Sequence, residues 1–254
     1  LKNLIKQFAT AVSFLTVFPV PQGPTRSAVS ADLAGSFSFF PLVGLIVGIC
    51  SIIVAIAIHP WMPTLLSAVV LTTLLVILTR GLHLDGLADL TDGIGGGYTT
   101  ERRLAIMKDS NIGTFGSLAL VLAMLFKVAS LQALLESGHW APILLVPSFG
   151  RLAMVFAAYK STYARPEGGL GKPFLEHMTA KQPWVSTISA CVIGLMISPG
   201  LTVLYFPVVI LCAVLFRLIG RRWLGGMTGD VLGATNEVTE IILFSLSACA
   251  VNQF

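Results

Sequence analysis

The chain has 254 residues, 55% of them hydrophobic and 11% charged, and its mean hydropathy is +0.87. Soluble domains carry about 25% charged residues, so a water-soluble fold is excluded and the chain reads as an all-α polytopic membrane bundle, one domain over residues 1–254. The net charge of +4 would suit nucleic acid, but 14 of the 16 Lys and Arg fall in four segments, 1–35, 80–112, 159–182 and 217–237. Membrane orientation explains that pattern with no nucleic-acid partner.

Residues 1–20 have a basic start and a short, broken apolar run with no small-residue cleavage site behind it. This predicts a helix lying in the membrane interface rather than a secretory leader. Runs suited to a hydrocarbon core of about 30 Å follow near 36–58, 62–79, 113–135, 141–159, 183–198, 201–219 and 238–252, which makes about seven spanning helices. The connections 59–61, 136–140 and 199–200 carry no Lys or Arg. All four basic segments therefore fall on one side, which the positive-inside rule makes cytoplasmic, with the N-terminus in and the C-terminus out. Cys50, Cys191, Cys212 and Cys249 sit singly in apolar runs and read as packing residues.

Behind the second apolar run comes RGLHLDGLADLTDGIGGG, residues 80–97. Of the 12 Asp and Glu in the chain, seven gather in or near two stretches: Asp85, Asp89, Asp92 and Asp109, then Asp230, Glu237 and Glu240. On a helix Asp85, Asp89 and Asp92 share one face within roughly 60°. Carboxylates so placed repel one another unless they cap helices, pair with Arg102, Arg103 or Lys108, or hold a cation. Three on one stripe favour the cation. Oxygen ligands without cysteine or clustered histidine point to Mg²⁺, or to Mn²⁺ or Ca²⁺. Mg²⁺ uses one or two carboxylates plus substrate phosphates, which implies a phosphate or diphosphate substrate.

His83 falls on the helical face opposite Asp85 and reads as an interfacial hydrogen-bonding residue at the edge of a substrate site. In the glycine run, Gly95 and Gly96 would belong either to a backbone nest for phosphate oxygens or to a plain turn. Arg102 and Lys108, in ERRLAIMKDSNIGTFG, stand ready to neutralise phosphate.

Cations inside apolar runs are costly and face the bundle interior. Arg151 is a candidate partner for the carboxylates or a phosphate, and Lys127 a candidate member of a structural ion pair. The second acidic stretch is GGMTGDVLGATNEVTE, residues 225–240. Thr228 reads as an N-cap with Asp230 in the first turn. Asp230, Glu237 and Glu240 would lie within roughly 80° of one another, the two glutamates entering the last span in need of partners or a metal.

The pieces FLTVFPVP, FFPLVGLIVG, GLHLDGLADLTDG, IMKDSNIGTFG, ARPEGGLG and GGMTGDVLGATNEVTE occur in this order, and the chain resembles the cobalamin synthase family, the adenosylcobinamide-GDP ribazoletransferases. The resemblance implies a Mg²⁺-dependent inner-membrane enzyme of a prokaryote, with its active site facing the cytoplasm. A hydroxyl of α-ribazole or its 5′-phosphate would attack the corrinoid-side phosphate of adenosylcobinamide-GDP, and GMP would leave. Asp85, Asp89 and Asp92 would then hold Mg²⁺ and position phosphate. One of them, or Asp109, would take the attacking hydroxyl's proton. Asp230, Glu237 and Glu240 would hold a second ion or the sugar and base of a nucleotide, and other cobalamin-assembly enzymes are the expected partners. In one place the chain departs from the family pattern: Val17 stands where an arginine is common.

Two other readings compete. A CDP-alcohol phosphotransferase also uses carboxylates on membrane helices, but Asp85-Gly86 is followed by Leu87, Ala88 and Asp89, without the expected Ala-Arg. A cation-coupled transporter would place its acids near the bilayer midplane within repeated, interrupted helices, whereas these acids lie at one interface.

Overall fold

The computed structural model describes residues 2–20, 30–165, 167 and 171–251, and its described residues form helices and no strand. The basic start folds as α1 (Lys2–Leu15), with Ala11 and Leu15 buried and Leu4 and Ile5 exposed, as suits a helix lying along a membrane surface. After α2 (Ser30–Ser36) and a 3-10 turn comes α3 (Phe40–Ile58), and Lys6 pairs with Asp32 at 2.7 Å to hold α1 against α2.

After α4 (Thr64–Leu78), Arg80 and Gly81 take left-handed φ values of 55° and 66°. Glycine adopts that conformation freely, whereas arginine is strained in it. The strain is held by α1: Arg80 Nη2 donates to Ser13 O at 2.9 Å, and Val17 N–H donates to Leu78 O at 2.9 Å. The double left-handed step sends α5 (Leu82–Gly96) off at 87° to α4 and onto α12, α7 and α6. The chain continues through α6 (Thr100–Ile106), α7 (Thr114–Glu136), α8 (Ala141–Ala158), α9 (Lys172–Glu176), α10 (Lys181–Ile197), α11 (Pro199–Ile219) and α12 (Gly229–Val251). A π-helical turn, Gly220–Leu224, separates the last two.

A helix stands at each of the seven predicted spans. Four stretches are by themselves long and apolar enough to cross a membrane: Asp32–Ile58, Thr114–Glu136, Ala141–Ala158 and Pro199–Leu224. The last helix begins at Gly229, directly after the predicted Thr228 cap, and carries Glu237 and Glu240, paired inside the bundle, into the span expected from 238. Some predicted features lie outside the described residues: Pro21, Arg26, Pro166 and 168–170 in their motifs, and residue 252 at the end of the last span.

Nearly every side chain of α8 is buried, which marks it as the centre of the bundle. A Cβ on Gly44 would meet Pro147 O at 2.3 Å, and one on Gly48 would meet Leu144 O at 2.3 Å. This glycine pair, four residues apart, therefore lets α3 lie directly on α8. Leu118, Val121 and Leu125 of α7, with Val203, Leu211 and Leu218 of α11, face outward, an apolar exterior suited to lipid.

The four basic segments meet at one end of the bundle. Arg80 reaches α1, Arg103 Nη1 donates to Trp223 O at 3.3 Å, Lys108 pairs with Glu167, and Ala164 N–H donates to Met227 O at 2.9 Å.

Candidate active site

The site lies where α5 crosses the first turn of α12. A Cβ on Gly86 would meet Asp230 O at 2.7 Å, and one on Gly233 would meet His83 Cα at 3.3 Å. The glycines thus allow backbone to touch backbone. That crossing brings Asp85 and Asp89 to Asp230. Thr228 Oγ1 accepts from Val231 N–H at 3.2 Å, the predicted cap, and Arg165 Nη2 donates to Asp230 Oδ2 at 2.8 Å. Asp89 is half-buried. Burial, then the charges of Asp230 and Asp85, push its carboxyl up from 3.8 to about 7: negative charge is crowded here beyond what Arg165 offsets.

Asp85 borders two cavities. The larger, about 860 Å³, is walled by Arg80, Asp85, Asp89, Lys108 and Asp109. The smaller, about 280 Å³, is lined by Asp85, Arg165 and Asp230 and by Phe14, Phe37, Phe40 and Phe174. Asp85 is thus a carboxylate that the two cavities share.

Among the described residues no group of three His, Cys, Asp or Glu is arranged to cage a metal ion. Asp85, Asp89 and Asp230 could supply the one or two carboxylates that a hard cation takes when substrate phosphates complete its shell, and such a cation would offset the charge they share.

The predicted stripe of three aspartates is divided by the fold. Asp92, whose charge also reaches Asp89, is buried, with its two oxygens accepting Gly113 N–H at 2.7 Å and Gly116 N–H at 2.8 Å. It caps the start of α7, where unpaired N–H groups and the helix dipole favour a carboxylate.

The glycine run is no phosphate nest. Gly95 and Gly96 are the last helical residues of α5; a Cβ on Gly95 would meet the Phe115 ring at 2.5 Å, and one on Gly96 the Ile106 side chain at 3.3 Å. Gly96, Asp92, Arg102 and Asp109 line a separate cavity of about 290 Å³. Asp109 is exposed, and the backbone and side-chain N–H of Asn111 hold its carboxyl below the usual range, which makes it a poor base. Lys108 lines the large cavity while pairing with Glu167.

Glu237, Glu240 and Arg151 form no open substrate site. They are buried together with Lys127, at 2.7 Å for Lys127–Glu237, 2.8 Å for Lys127–Glu240 and 2.7 Å for Arg151–Glu240. Two cations answer two carboxylates, as burial of charge demands. His83 is buried beside them: Asn236 Nδ2 lies 3.1 Å from His83 Nδ1 and donates to Glu240 Oε1 at 3.0 Å. His83 also forms part of the wall of the 280 Å³ cavity.

The family model described as cobalamin-5-phosphate synthase matches residues 7–248. The chain belongs to this family. A relative from Syntrophobacter fumaroxidans named adenosylcobinamide-GDP ribazoletransferase is 54% identical over 244 residues, 95% of this chain and 98% of its own length. Relatives of the same name from Chlorobaculum tepidum and Citrobacter koseri are 39% and 35% identical, over 96% and 93% of this chain and 96% and 97% of their own lengths. No solved structure matches the chain significantly. The family membership agrees with the resemblance read from the two acidic motifs, and it makes the chain a transferase of cobalamin biosynthesis.

Sequence reasoning assigned no role to Arg165, Asn236 or the phenylalanines of the small cavity. Arg165 stood in a quoted motif, but its partner is 65 residues away. Phe14, Phe37, Phe40 and Phe174 looked like ordinary apolar residues until the fold gathered them.

Proposed function

We propose that the protein joins ribazole, as the nucleoside or its 5′-phosphate, to adenosylcobinamide-GDP, at the crossing of α5 and α12. The observation that carries this reading is the carboxylate cluster at the junction of a large and a small cavity, in a chain of this family. A ribazole hydroxyl attacks the corrinoid-side phosphorus. The new P–O bond forms as the bond to the bridging oxygen breaks, and GMP departs with that oxygen.

Asp89 takes the hydroxyl's proton, because a base with a pKa near the working pH is best matched to that task. Asp85, with substrate phosphate oxygens, would hold Mg²⁺, and the ion when bound would neutralise diphosphate charge and ease departure of GMP. Arg80 and Lys108 on the wall of the large cavity add positive charge for the diphosphate. Arg165 orients Asp230 at the acceptor's side. The end bearing the basic segments faces the cytoplasm, across the inner membrane of a prokaryote, where other enzymes of cobalamin assembly deliver both substrates.

The test is GMP release by detergent-solubilised protein given adenosylcobinamide-GDP and α-ribazole, with Mg²⁺ or with EDTA. GMP together with a completed corrinoid, formed in Mg²⁺ and absent in EDTA, is the expected result. Folded protein that releases no GMP with any divalent cation overturns the reading, and ion-dependent transport becomes the next activity to assay.

A further inference from the structure

The smaller cavity has two unlike groups of lining residues. The apolar group is made of aromatic rings from three separate helices and a 3-10 turn: Phe14 and Phe174 have centroids 4.8 Å apart, Phe37 and Phe40 4.5 Å, and Phe37 and Phe174 5.7 Å. The polar group is Asp85, Asp230 and Arg165. Among the described residues Arg165 Nε is buried without a hydrogen-bond partner, as are the Nε atoms of Arg103, Arg151 and Arg217. At about 280 Å³ the space is close to the lower bound of about 300 Å³ for small-molecule sites. A corrinoid cannot enter it.

Building on the transferase reading, we propose that this cavity is the seat of the acceptor nucleoside. The flat bicyclic base of ribazole lies among Phe14, Phe37, Phe40 and Phe174, and its ribose meets Asp85, Asp230 and Arg165. Flat aromatic bases gain affinity from aromatic surfaces, and an apolar wall backed by four phenylalanines packed on one another favours such a base over a bare sugar phosphate. The placement also orders the reaction in space. The ribose hydroxyls emerge beside Asp85 on the rim of the 860 Å³ cavity, where the diphosphate of the larger substrate arrives. Phe174 belongs to the short α9 and packs on Phe14 and Phe37, so the KM for adenosylcobinamide-GDP and the Tm of each variant serve as the controls for a general packing defect.

The experiment measures binding of α-ribazole alone to the full-length detergent-solubilised protein by calorimetry, alongside separate KM values for α-ribazole and adenosylcobinamide-GDP. It compares the wild type with Phe174→Leu and Phe174→Tyr. Loss of one ring of that wall is expected to weaken α-ribazole binding and raise its KM about tenfold, while the KM for adenosylcobinamide-GDP stays within about twofold and the tyrosine variant stays near wild type. An unchanged α-ribazole affinity in Phe174→Leu, or a rise confined to the corrinoid KM, overturns the assignment while active wild-type protein leaves the transferase reading standing. Wild-type protein that binds α-ribazole in a Phe174-dependent way yet releases no GMP has the reverse meaning: the seat stands and the transferase reading falls.

Discussion

Asp230 and the pair Glu237 and Glu240 stand on the same helix, the pair about two and three turns further along, yet the fold treats them in opposite ways. The deep pair is buried with Lys127 and Arg151, two carboxylates against two cations, at 2.7–2.8 Å. At the mouth, Asp85, Asp89 and Asp230 face one close guanidinium, that of Arg165. Arg80 is anchored on a carbonyl of α1 and Lys108 on Glu167, so neither pairs with these carboxylates. Charges balanced within the protein hold helices together, whereas charges left unbalanced beside an open cavity await a cation and a charged substrate.

Neutralising a carboxylate should therefore have opposite consequences in the two regions. The largest effect is expected for Asp89→Asn, which removes the base and should lower turnover about 10²–10⁴-fold with no loss of thermal stability, since it relieves repulsion. A fall in Tm instead would place Asp89 among the structural acids. Next comes Glu240→Ala, which strands Lys127 and Arg151 and should cost about 3–5 kcal/mol of stability, read by chemical denaturation in detergent. Removing charges as a pair, in Lys127→Met with Glu237→Gln, should cost less than the sum of the two single replacements. If Glu240→Ala abolishes substrate binding at unchanged stability, the deep cluster belongs to the site after all.

Asp92→Asn sharpens the boundary between the regions. Each of its two charge-assisted bonds to the start of α7 is worth about 1.5–3 kcal/mol, so the variant should melt earlier and keep a normal Mg²⁺ requirement. Lost activity at full stability would return Asp92 to the cation site.

The smallest effect is a linkage. Because the Asp89 carboxyl in the fold lies at about 7, above its ordinary 3.8, the stability that protonation confers is fully present below about pH 4 and is lost as pH rises through about 7. Added Mg²⁺ should therefore raise Tm more at pH 8 than at pH 5.5, and Asp89→Asn should shrink that difference. An Mg²⁺ effect independent of pH would separate the cation from this cluster.

Much of the architecture was legible in the sequence, because lipid demands long apolar helices and loop charges record their common side. The Thr228 cap and the inward-facing Lys127 and Arg151 were legible for local reasons, a hydroxyl before a helix and a cation that lipid would not tolerate. Helical spacing was misleading for Asp92: it shares the stripe of Asp85 and Asp89, yet the turn at Gly113 brings two N–H donors within reach of it and claims it. The same spacing grouped Asp230 with Glu237 and Glu240, since a helical wheel shows angle but no depth.

The sequence by itself determined that the chain is a helical membrane protein, which residues bear charge inside it and that the acids gather in two motifs, because hydropathy, charge and helical period are local properties. The tertiary structure decided which acids are balanced. The left-handed step at Arg80 and Gly81 turns α5 sharply off α4, and Gly86 and Gly233 let it touch α12. That contact, between segments some 140 residues apart, joins the two motifs into one cluster, and the fold brings the phenylalanines to the same cavity.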